Sequence, residues 1–161
     1  MAVDMFLKLE GIDGESVDSK HGDEIDVLSW SWGASNSGTM HISKGGGAGK
    51  VSVQDVSIVK YVDKASTAIV QAVTVGKHVP SATLTVRKAG GDEPVEYLVI
   101  EMKSVLVSSW QTGGSQGEER LTESITLNFA EYKVIYTPQK SDGTKDAEVD
   151  FGYNIAKNET A

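Results

Sequence analysis

Along residues 121–136 the sequence LTESITLNFAEYKVIY alternates apolar and polar side chains at every second position. Leu121, Ile125, Leu127 and Phe129 fall on one face of an extended chain, with Thr122, Ser124, Thr126 and Asn128 on the other. That is the period of a half-buried β-strand. A helix would scatter these residues around its axis, because it gathers positions three and four apart. After Ala130 the apolar positions move to even numbers, at Tyr132, Val134 and Tyr136, which predicts a bulge or bend.

The same period governs other segments. ATLTVRK (82–88) places Ala82, Leu84 and Val86 on one face, and the turn GGDEP (90–94) separates it from VEYLVIEMKSVLVSSW (95–110), a hairpin pattern. VDFGYNI (149–155) sets Val149, Phe151, Tyr153 and Ile155 on one side. A single segment reads as a helix. From Asp63 to Val75, Ala65, Ile69, Ala72 and Val73 share a face, Asp63 or Ser66 offers an N-cap, and Gly76 suits a left-handed C-cap. One short helix among many strands points to a mainly β fold of antiparallel sheets, a barrel or a sandwich.

The chain's 161 residues suffice for one domain with a genuine core, and 39% hydrophobic with 24% charged residues is ordinary for a globular protein. No apolar run reaches the roughly 18 residues of a bilayer span, so no membrane insertion is expected. The N-terminal stretch MAVDMFLKLEGIDGES carries acids where a cleaved secretory signal carries a basic region. Without cysteine there is neither a disulfide framework nor a thiolate metal site. A formal net charge of −8, with 15 scattered basic residues, argues against nucleic acid as a partner.

Motifs of catalysis and cofactor binding fail on inspection. In HISKGGGAGKVSVQD (41–55) a phosphate-binding loop anchored on Gly49-Lys50 would need glycine at Lys44 and a hydroxyl at Val51, and the residues after Lys50 read as strand where such a loop opens a helix. GGSQG (113–117) spells a nucleophile elbow, yet Ser115 precedes a strand, and His21, His41 and His78 all come before it. None of the three histidines has a neighbour at metal-ligand spacing, so solvated or edge positions are expected for them. GDEID (22–26) misses the calcium-loop pattern and reads as a turn. The sequon NET (158–160) carries no meaning without a secretory signal. The sequence therefore reads as a non-enzyme with no cofactor and no metal. Between Trp32 and Val51 lie 18 residues, six of them glycine, which form either a loose surface hairpin, with an extended piece through TMHIS (39–43), or an arm ordered by another subunit.

Four long segments, MAVDMFLKLEGIDGES, EIDVLSWSWG, GGGAGKVSVQDVSIVKYVDKAS and GEERLTESITLNFAEYKVIYTPQ, resemble the haemolysin-coregulated protein (Hcp) family, the inner-tube proteins of bacterial type VI secretion. The resemblance runs from Met1 to about Gly143, with the tail 143–161 outside it. It implies antiparallel sheets closed into a β-barrel with one short flanking α-helix, spanning residues 1–161 as a single domain that carries a long glycine-rich loop at 33–50. It also implies a hexameric ring with a wide channel. Such rings stack into a tube that a contractile sheath propels behind a tip spike, so the chain would leave the bacterial cytoplasm without a cleaved signal peptide, with effector proteins held in the lumen.

Two sets of residues are candidates for contacts. On a strand Leu28, Trp30 and Trp32 share one face, which reads as packed core rather than a ligand-stacking platform, and Ser31 faces away. The family's pattern turns that serine towards the channel. The arm residues Gly45, Gly46, Gly47 and Lys50 are candidates for the contact between stacked rings, the glycines allowing close approach of a neighbour and the lysine meeting an acidic partner. A soluble barrel binding a small ligand in its interior is the alternative, opposed by an interior filled with Ile, Val, Leu and Trp.

Overall fold

The computed structural model describes residues 3–42, 46–88 and 93–161. In chain order it contains β1 (Val3–Leu9), β2 (Ile25–Ser31), β3 (Ala34–Gly38), β4 (Ala48–Val53), β5 (Val56–Tyr61), α1 (Ser66–Val75) and β6 (His78–Lys88). β7 (Glu96–Gly113), β8 (Thr122–Tyr136), β9 (Val149–Asn154) and β10 (Glu159–Thr160) complete it. Six of the strands follow the order β8-β5-β2-β1-β6-β7, and β7 pairs back onto β8, closing an antiparallel barrel. Closure leaves these strands without free edges.

The expected alternation supplies the barrel interior. Leu7, Ile25, Ile58, Leu84, Ile100, Met102, Ile125 and Leu127 are all fully buried. Thr85 and Arg87 depart from the polar-out rule, being buried although they alternate with Leu84 and Val86. The connection between β1 and β2 lies across the outer face of β1 and β6. Its His21 stacks on Phe6 with ring centroids 4.5 Å apart, and its Asp18 pairs with the Arg87 guanidinium. His21 is thus neither solvated nor at an edge, as the sequence suggested. It is buried, with Nδ1 2.6 Å from Glu24 and Nε2 2.6 Å from Glu96, whereas His41 and His78 are exposed.

At one end of the interior sits an ion pair. The Lys60 and Glu123 side chains occupy the inward rows of β5 and β8 and are completely buried. Lys60 Nζ donates to Glu123, to Asp63 Oδ1 at 2.9 Å and to the Tyr61 carbonyl at 2.9 Å. Glu123 also accepts from Ser66 Oγ at 2.7 Å and from Trp110 Nε1 at 2.8 Å, so every polar atom here is satisfied. Ser66 opens α1, and Ile69 and Ala72 bury its inward face as its periodicity predicts. The N-terminus differs from expectation. The helix begins after Ala65, and the Ser66 hydroxyl accepts the Asp63 N–H and donates to Glu123 instead of capping the first turn. Gly76 does adopt the left-handed C-cap, at φ 66°.

The predicted bend after Ala130 is present and involves two strands. Met102 and Val105 of β7 are both buried, as are Phe129 and in part Tyr132 of β8, so inward-facing parity changes on both strands. Ser104, opposite Ala130, has φ 55° and provides the turn-over. Since both partners turn over together, the ladder keeps its register there. Beyond this point β8 stays bonded to β7 but parts from β5, and β9 takes that edge, Tyr132 opposite Tyr153, Val134 opposite Phe151 and Tyr136 opposite Val149. The face continuing the barrel interior emerges into solvent, with Tyr136 46%, Phe151 53% and Val149 61% exposed.

The glycine-rich segment takes the hairpin form that is one of its two sequence readings. β3 and β4 form a separate two-stranded hairpin, Ala34 opposite Val53 and Asn36 opposite Val51. Thr39–Ile42, expected to be extended, lie at its turn, where Ile42 N–H bonds the Thr39 carbonyl at 3.0 Å.

Candidate functional site

The barrel has outer faces of unlike fate. The β1–β2 connection covers one, while the face of β2, β5, β8 and the end of β7 carries no such cover among the described residues. Its residues are set by two bulges. On β2 the pairing with β5 shifts between Val27 and Ser29, so Ile25 and Val27 point inward before the shift and Trp30 packs on the core after it. Ser29 and Ser31 are then outward and exposed, Ser31 opposite Ser57 of β5. The expectation for Trp30, Trp32 and Ser31 agrees with this, but Leu28 departs from it. Leu28 sits within the irregularity and is 39% exposed, outside the core face it was assigned to.

Pairing extends the outward row across the sheet. Ser57 faces Thr126 of β8, Val59 faces Ser124, and these face Ser109 and Gln111 of β7. The shift on β7 between Val107 and Ser109 brings two consecutive hydroxyls to one partner, Thr126 Oγ1 lying 2.7 Å from Ser108 Oγ and 2.6 Å from Ser109 Oγ. Ser108 donates to Asp55 Oδ2 at 2.6 Å and Asn128 Nδ2 to Asp55 Oδ1 at 2.9 Å, fixing that carboxylate at the edge of the face. The result is a field of short hydroxyl side chains around Ser31, in a chain with a net charge of −8. Ser57, Ser109 and Thr126 were not singled out as site residues. Their signal was present as serine and threonine at alternate positions of three strands, but only pairing shows that the rows adjoin.

Such a face offers hydrogen-bond donors and acceptors with little bulk and no strong field. Among the described residues its one named ionisable group is the Asp55 carboxylate at the edge, held by Ser108 and Asn128, and each hydroxyl partner above is another hydroxyl or that carboxylate. Ser115 lies in the turn between β7 and β8, with its carbonyl accepting the Glu118 N–H. Among the described residues no three His, Asp or Glu converge as metal ligands.

The arm residues lie apart from Ser31. Gly45 is outside the described residues. A Cβ on Gly46 would come within 2.8 Å of the Met40 Cα, so this glycine is required by the hairpin's own close packing, whereas one on Gly49 would meet the Ser37 hydroxyl, which can rotate aside. Gly47 exchanges hydrogen bonds with Thr39, its carbonyl accepting from the Thr39 N–H at 3.2 Å and its own N–H donating to the Thr39 hydroxyl. Lys50 is exposed on β4, on a groove of about 540 Å³ that runs between the arm and β9 and is walled by Val51, Tyr132, Phe151 and Tyr153.

Comparison with known proteins agrees with this architecture. Residues 6–136 match the family model described as type VI secretion system effector, Hcp. The chain is 59% identical over 159 residues to the protein hcp1 of Pseudomonas aeruginosa, covering 98% of each. A solved structure of a type six secretion system protein superposes with a TM-score of 0.93 at 31% identity, covering 99% of this chain and all of that one. Hcp1 from Salmonella typhimurium gives 0.80 at 35% identity over the full length of both.

Proposed function

Since this chain belongs to the Hcp family of type VI secretion and is a structural subunit of its tube, we infer that it closes into hexameric rings with the Ser31 face turned to the channel. The observation that carries this reading is the uncovered outer face of β2, β5, β8 and β7, hydroxyl-rich and almost uncharged, on a barrel whose opposite flank lies beneath the β1–β2 connection. A channel of small neutral hydroxyls holds varied effector surfaces by many weak hydrogen bonds and releases them on delivery. The rings stack through the arm, with Lys50 and Gly45, Gly46 and Gly47 as the residues of the contact. The stack meets a contractile sheath outside and a spike at its tip. The chain acts without catalysis, assembles in the bacterial cytoplasm and is exported by the system itself, without a cleaved signal. The small-ligand barrel lacks support, because the interior is filled and the end near α1 is sealed by Lys60 and Glu123.

Light scattering of the purified chain in moderate salt, with negative-stain microscopy of the main peak, tests the ring. Open hexamers are expected, and a monodisperse monomer at all concentrations overturns the reading. Ser31→Lys should weaken effector retention while rings still form; loss of rings with retention unchanged would place Ser31 at a subunit boundary. Deleting Gly45 to Gly47 should impair stacking and leave the monomer folded, and unaltered tubes would remove the arm from the contact.

A further inference from the structure

The groove beside Lys50 and the turn joining β7 to β8 are complementary, and neither is filled by the described residues of its own chain. The groove is concave and lined on the sheet side by Tyr132, Phe151 and Tyr153, and Lys50 is the one charged side chain on its walls among the described residues. Its aromatic side is the barrel's inward face carried past the bend, a surface of core composition left half-exposed. The turn, residues 114–121, is convex and exposed along its whole length. It presents Leu121, itself 50% exposed, after Glu118, Glu119 and Arg120, and the Arg120 guanidinium is drawn back over the Tyr61 ring of its own chain, 3.8 Å from the centroid, leaving the two glutamates as its outward charges.

Leu121 and Tyr132 stand eleven residues apart on one strand, roughly 35 Å of extended chain, so a molecule cannot fold its turn into its own groove. Only another molecule can supply it. Two unlike patches at opposite ends of one hairpin give a head-to-tail contact, the kind that propagates an assembly instead of ending it at a dimer. We propose that the β7–β8 turn of one copy seats in this groove of the next, Leu121 against Phe151 and the Tyr132–Tyr153 pair, with Glu118 and Glu119 meeting Lys50. The inference rests on reading the chain as a self-assembling tube subunit and assigns the residues of one of its contacts.

Leu121→Arg removes the turn's apolar anchor and Phe151→Arg blocks the groove, each on the full chain. Mass photometry should show each variant alone associating at least tenfold more weakly than wild type. An equimolar mixture should recover one contact, because the intact groove of the Leu121 variant accepts the intact turn of the Phe151 variant, doubling the mass of the separate species. Should either arginine disturb folding, a milder series decides: Lys50→Glu should weaken association, and adding Glu118→Lys and Glu119→Lys in the same chain should restore it. Variants that keep the wild-type mass, or a mixture that regains nothing, overturn this contact while leaving the tube reading intact. A wild-type chain that stays monomeric at every concentration overturns both.

Discussion

Replacing Lys60 with methionine would leave the Glu123 carboxylate fully buried with only Ser66 and Trp110 as donors. An uncompensated charge in such a place costs about 3–5 kcal/mol, read as a fall in the urea midpoint. The double replacement Lys60→Met with Glu123→Leu should recover most of that loss, because an apolar pair of similar volume removes both charges together. Burial by itself would raise the Glu123 carboxyl, but hydrogen bonds from Lys60, Ser66 and Trp110 outweigh it and hold the group below its usual range. A carboxylate lowered on folding contributes stability that is complete above its unfolded value of about 4.3 and disappears as pH falls through the lower folded value. Urea titrations from neutral pH downwards should therefore show wild type losing stability below about pH 4 more steeply than the double variant. Equal slopes would mean the network contributes nothing to acid unfolding.

Among the elements, the β7–β8 hairpin depends most on one residue. Ser104 is held at φ 55° where both strands turn over, and its side chain is exposed. A β-branched side chain resists that conformation, so Ser104→Val should cost about 1–3 kcal/mol in thermal or urea unfolding, whereas Ser104→Ala should cost less. The turn-over was legible in the sequence from β8 alone, because Phe129 and Tyr132 break parity. The helix and the long strands were legible for the same reason, periodicity being a record of which side is buried. The arm was legible only in part: a hairpin was one of its two readings and the residues after Lys50 read as strand, but ASNSG of β3 has no large apolar residue and is exposed along its length, so its pairing leaves no period to read. Neither was the Lys60–Glu123 pair, a contact across 63 residues in which each partner breaks an apolar row that gives no hint of the other. Leu28 misled because a bulge, invisible to alternation, shifts everything after it by one residue.

At the scale of the molecule, a formal charge of −8 on each chain sets the conditions for association. In the proposed assembly, six copies in a ring, and rings upon rings, would bring like charges together, so self-repulsion would oppose both steps. Moderate salt screens charges over about 10 Å at 0.1 M, and sedimentation should show more stacking there than at very low ionic strength. Stacking that declines steadily with added salt would instead assign the attraction to ion pairs such as the one inferred between Lys50 and the β7–β8 turn.

The sealed interior has a consequence for what carrying would mean in the proposed ring. A container with a hollow barrel owns its volume, and its capacity can be tuned by mutating the wall. This barrel has filled its inside with Leu7, Ile58, Leu84 and Ile125 and locked one end with two opposite charges, so it has no hold of its own. In the proposed ring, whatever it transports would be enclosed by the outer faces of barrels arranged in a circle. Capacity is then a matter of circumference, set by how many copies meet and at what angle. A substitution that alters the angle between neighbours by a few degrees would resize the hold without touching a single residue that faces the load.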